Sequence, residues 1–164
     1  MTMQATDLTV RKSITVEATQ ERAFDAFTAG FDKWWPRSHH IGEVDMAEAI
    51  MECREGGRFY ERGADGSECD WGRVLVFDRP NRIVVSWHLQ GDWKYDPDPA
   101  KASEYEARFI AQGDHRTLVE FEHRNLERHG GAAAKISEAL GSDGGWGGML
   151  KAFKEEAESS SDID

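Results

Sequence analysis

The chain has 164 residues, 31% of them charged, and a formal net charge of −11. That length suits one domain with a real core, and the acidic balance argues against nucleic acid and anionic membrane surfaces, because phosphate binding depends on neutralisation by Lys and Arg. No apolar run approaches the roughly 20 residues that cross a bilayer, and the N-terminal MTMQATDLTVRKS lacks an apolar signal core, so membrane insertion is not expected and a cytoplasmic location is.

In chain order, residues 1–8 are expected to be flexible, and TVRKSITVE then alternates as a first strand through Val10, Ile14 and Val16. Thr19 is an N-cap candidate for a short helix over 20–29 that packs through Phe24 and Phe27 and ends at Gly30. FDKWWPR reads as a second short helix or turn, stopped by Pro36. From about 46 to 124 the pattern changes to period two, punctuated by Gly56-Gly57, Asp65-Gly66, Arg79-Pro80-Asn81, Gly91-Asp92 and Gly113-Asp114, as expected for an antiparallel meander. Alternation puts Trp87 on one face with Ile83, Val85 and Leu89, Tyr105 with Ala107 and Phe109, and Val119 with Phe121 and His123, so each strand is expected to bury one side. The parity around Phe59, Tyr60 and Trp71 stays open, because adjacent aromatics must point opposite ways.

GDWKYDPDPAKA, residues 91–102, interrupts the meander as a long loop of the kind that often carries function. AAAKISEAL is a short helix by pattern, followed by GSDGGWGGMLKAF. That glycine cluster matches neither GxGxxG nor GxxxxGK[ST], so it reads as a hinge rather than a phosphate loop. From Trp146 the apolar positions Met149, Leu150, Phe153 and Ala157 recur at helical spacing, giving a long amphipathic C-terminal helix, with residues 159–164 a flexible tail. The layout is α+β: about seven antiparallel strands in a curved sheet around that helix, with two short helices after strand 1, as one domain over 9–158.

Six tryptophans exceed what a core of this size needs and hint at a pocket. By strand and helix parity the candidate ligand-binding residues are Trp87, Tyr105, Phe109, Phe121, His123, Trp146, Met149 and Phe153, with Tyr105 and His123 as the polar-tipped groups that could orient a guest. Trp34, Trp35 and Trp93, in short turns or loops, are candidates for the rim or lid. Plain core packing accounts for the same stripes. Neither the adjacent pair His39-His40 nor the lone Cys53 and Cys69 has metal-ligand spacing, and no GxSxG elbow is present, so no metal, cofactor or catalytic residue is assigned.

With GFDKWWP, REGGRFYERGADGSECDWGRV, FDRPNRIVVSW, SEYEARF, VEFEHRNLERHG and GGWGGMLKAF in this order, the sequence resembles the AHSA-type family, relatives of the C-terminal domain of the activator of the heat-shock chaperone ATPase, within the START-like or SRPBCC superfamily. The resemblance covers nearly the whole chain and implies a helix-grip fold holding a small hydrophobic or amphipathic ligand between sheet and last helix, without catalysis. A chaperone-associated or stress-response interaction module is the alternative it implies, although the activator's separate N-terminal domain has no counterpart here. Related folds also include cyclases and hydrolases, which keeps an enzyme using Tyr105 and His123 as a third reading.

Overall fold

The computed structural model describes residues 8–37, 39–92 and 94–159. The expected strands form as β1 (Val10–Val16), β2 (Met46–Met51), β3 (Arg58–Gly63), β4 (Glu68–Asp78), β5 (Arg82–Trp87), β6 (Ser103–Ala111) and β7 (Thr117–Arg124). They make one sheet of seven strands in the order β1-β7-β6-β5-β4-β3-β2, antiparallel throughout, curled into a half-barrel. Helix α1 (Gln20–Phe27) is capped by the Thr19 hydroxyl, which accepts from Arg22 N–H, and α2 (Phe31–Trp34) follows at once. Helix α3 (Ala133–Gly141) leads through a π-type turn at Asp143–Gly147 into α4 (Gly148–Ser159), which packs into the concave side against α1, α2 and β1.

Alternation held where it was clean: Tyr105, Ala107, Phe109, Val119, Phe121 and His123 are all buried on the concave face. Facing them, Phe27 sits edge-on to Phe153 at 5.2 Å and to Phe109 at 5.6 Å, joining α1, α4 and β6 in one aromatic core. The C-terminal helix starts two residues later than its apolar pattern suggests, because Trp146 belongs to the π-type turn.

The expectation that each strand buries one side only fails at the sheet centre. Along β5 the outer-face residues Val84 and Ser86 are buried as well, as are Glu106 on β6 and His88 beyond β5. Two devices cover that face. Burial raises the Glu106 carboxyl, but hydrogen bonds from Arg124, Arg82 and Arg108 outweigh it and hold it down at about 2. Next to this cluster the segment 94–102 folds back over the strand, with Asp96 N–H donating to the His88 carbonyl at 3.1 Å.

Candidate functional site

A half-open cavity of about 390 Å³ lies between the sheet, the 39–41 segment and the glycine hinge. Its walls are the indoles of Trp35, Trp71 and Trp87 with Leu89 and Met149; Leu140, Ser142, Gly144 and Gly145 form the hinge side, and His39, His40 and Ile41 the mouth. Trp35 and Trp71 sit 5.3 Å apart between centroids at 40°, which leaves two flat apolar surfaces bordering one space.

Glu61 on β3 holds this wall. It is buried, and its carboxylate accepts from Ile41 N–H at 2.6 Å, Gly42 N–H at 3.0 Å and Trp71 Nε1–H at 3.0 Å. One side chain thus fixes both the mouth segment and an indole face. Phe59 and Glu61 share one face of β3, and Tyr60 between them is buried beneath the Arg58 guanidinium, 3.8 Å from its ring centroid; the β3–β4 register slip makes Trp71 of β4 the extra residue opposite Phe59 and Tyr60. Glu61→Gln, whose amide would turn N–H groups toward an N–H donor, is expected to lower stability by about 1–3 kcal/mol in urea melts. An unchanged midpoint would show that the clamp contributes nothing.

The mouth is tied across to the hinge. Trp35 Nε1–H donates to the His39 carbonyl at 2.9 Å, and His39 Nε2–H donates to the Gly144 carbonyl at 2.8 Å. His40 turns its Nδ1–H to the Gly42 carbonyl at 3.1 Å, which in the neutral ring leaves Nε2 as an acceptor.

Of the residues that parity selected, Trp87 and Met149 line the cavity, and Trp35 does so as a wall rather than a lid. Trp146, Tyr105, Phe121 and His123 pack behind the floor, with the Trp146 ring 4.3 Å from Phe121 and 4.9 Å from Tyr105. Phe109 and Phe153 lie further along the core beside Phe27. Trp34, expected at the rim, is instead buried and donates its Nε1–H to the Ala26 carbonyl at 2.9 Å: a short helix directly after α1 must pack its aromatic face inward. Trp93 lies outside the described residues. Trp71, Ile41, Leu89, Leu140 and Glu61 were not selected from sequence; the unresolved parity at β3 hid the first and last of them.

Beneath the floor runs an ordered hydrogen-bond chain. Trp146 Nε1–H donates to His123 Nδ1 at 3.1 Å, so the other ring nitrogen carries the proton and donates to Ser103 Oγ at 2.8 Å. The Ser103 hydroxyl then donates to His129 Nε2 at 2.7 Å, and His129 Nδ1–H to Gln90 Oε1 at 3.2 Å. Burial, with a smaller contribution from His129, pushes His123 down to about 3. Burial likewise raises Tyr105 well above 10, and its hydroxyl, like Trp87 Nε1, is sealed without a hydrogen-bond partner among the described residues.

Residues 17–158 match the family described as Activator of Hsp90 ATPase homolog 1-like protein. The chain belongs to this family. No curated protein matches it. Among solved structures, an anthrahydroquino-γ-pyrone synthase, Txn09, determined in complex with the ligand SUM, is 39% identical over 90% of this chain and 96% of its own, with a TM-score of 0.64. The self-sacrificing resistance protein CalC from Micromonospora echinospora is 34% identical, covering 94% of this chain and 96% of its own, with a TM-score of 0.70. The protein MLL2253 from Mesorhizobium loti shares the fold at 14% identity, 90% and 95% coverage and a TM-score of 0.63. Family and neighbours together support a ligand-binding domain. Among the described residues, no helix of this family member is long and apolar enough to cross a membrane.

Proposed function

We propose that the domain binds a flat, mainly apolar small molecule against the wall made by the indoles of Trp35, Trp71 and Trp87, and holds it without turning it over. The observation that carries this is the wall of three tryptophans around about 390 Å³, within the range of volumes that small-molecule sites occupy. Aromatic faces reward planar guests through offset stacking, and the synthase at 39% identity makes a fused-ring product, which favours the same shape class. Tyr105 and His123 are poor candidates for chemistry on such a guest. They lie beneath the floor, and both His123 ring nitrogens are engaged.

A tricyclic hydroxyquinone such as emodin serves as probe. Saturable one-to-one quenching of tryptophan emission is the expected result, and Ala139→Trp, which fills the cavity from the α3 side without emptying the core, is expected to weaken binding at least about tenfold. Equal affinity of the two proteins would place the guest elsewhere and end this reading.

One observation favours a second reading, a ring-closing enzyme. His40 stands at the mouth with Nε2 unbonded among the described residues and its tautomer set by Gly42, the arrangement of a general base. For an enzyme, His40→Gln abolishes turnover of a cyclisable substrate while probe binding persists. The chaperone contact rests on the family description alone.

A further inference from the structure

A second cavity, of about 410 Å³, opens on the opposite face of the sheet, beneath the segment 95–102. Its charges are unlike those of the rest of the surface. Ten other arginines among the described residues sit on carboxylates, from Arg124 on Glu106 at 2.5 Å to Arg22 on Glu156 at 3.4 Å. Arg73 reaches its nearest carboxylate, Asp70, only at 3.9 Å, and Arg128 pairs with none among the described residues, its recorded bond being to the Ala102 carbonyl at 3.5 Å. Both line this one cavity. Glu104 also borders it, but its carboxylate is engaged by Arg124 at 2.9 and 2.7 Å. In a chain of net charge −11, two guanidiniums that line one cavity with no tight carboxylate partner among the described residues form a local inversion of sign.

The cavity is also built rather than incidental. His88 Nδ1–H donates to the Asp96 carbonyl at 2.8 Å, so its Nε2 accepts from the Ser86 hydroxyl at 3.0 Å, and the Tyr95 ring lies over the imidazole at 5.3 Å and 31°. Ser86 and His88 are buried in its floor, while Leu75, one of two exposed large apolar side chains among the described residues, stands in its wall. The covering segment is stiffened by Pro97 and Pro99 and tied down again where Gln90 Nε2–H donates to the Lys101 carbonyl at 2.9 Å.

We infer that this cavity is a second binding site, separate from the tryptophan-walled one, for a small aromatic carboxylic acid. The carboxylate pairs with Arg73 and Arg128, whose planar forks suit a planar oxyanion. The ring lies against Leu75, Tyr95 and Pro97.

Titration of the isotope-labelled protein with benzoate, followed by amide chemical shifts, tests the assignment. Saturable shifts at Arg73, Ser86, His88 and Arg128 are expected, with the neutral isostere benzamide at least about tenfold weaker, since a charge-assisted pair is lost. Arg128→Gln should weaken benzoate by a similar factor and leave emodin binding unchanged. Equal affinity for benzoate and benzamide, shifts confined to the Trp35 side of the sheet, or the absence of saturation would each overturn the site. Inorganic phosphate competing as well as benzoate would overturn the aromatic-acid class, because it has no ring to place on Leu75.

Discussion

Gly145→Ala is expected to destabilise the domain by more than about 3 kcal/mol or prevent folding, a large effect for the addition of one methyl group. A Cβ there would meet the Ala139 carbonyl oxygen at 2.3 Å and the Leu140 carbonyl oxygen and carbon at 2.5 and 2.7 Å. These are backbone atoms of the last turn of α3, so no side-chain rotation relieves the overlap. The close approach is what allows the chain to leave α3 and re-enter α4 with Trp146 pointing into the core. Gly144→Ala is the internal control: its Cβ would meet only Ser142 Oγ, at 3.9 Å, and its midpoint in urea should stay within about 1 kcal/mol of the parent. If the two variants melt alike, the hinge does not require glycine at 145.

Acid is expected to destabilise the fold earlier than carboxylate protonation alone would. The unfolded chain protonates each histidine near pH 6.5, whereas folded His123 takes up a proton only at about 3. Between those values the unfolded state holds more protons, so stability rises with pH across that window and is progressively lost as pH falls through it. His129, lowered by burial and by His88, adds in the same direction. The loss attributable to His123 is on the order of 3–5 kcal/mol by about pH 3. Urea midpoints from pH 7.5 to 4 and the His123 ring-proton resonance measure this directly. A His123 resonance that titrates near 6.5 contradicts the buried, neutral ring.

Strand alternation made the inner faces of β6 and β7 legible, and the spacing of Phe24, Phe27, Met149 and Phe153 did the same for the inner helix faces. What alternation could not convey was depth. Trp146, Tyr105 and His123 face inward as their parity requires, yet they form a layer beneath the cavity, because parity gives a side and not a distance from the opening. The mouth was harder still. Residues 39–42 have no periodicity, and what positions them is a glutamate on β3, a residue type that sequence reading assigns to the surface. The outer face was misjudged for a related reason: Glu106 reads as exposed until Arg82, Arg108 and Arg124 are seen to come from three strands onto it.

The bond from His39 to the Gly144 carbonyl joins segments 105 residues apart. On one side the mouth is anchored through Glu61 to β3, near one edge of the sheet; on the other the hinge is anchored where Lys12 on β1, at the opposite edge, donates to the Gly141 carbonyl at 3.1 Å. The mouth and the hinge are thus strapped to each other and to both edges of the half-barrel, so that for a guest held as proposed above, a longer residence time is expected the stiffer the sheet.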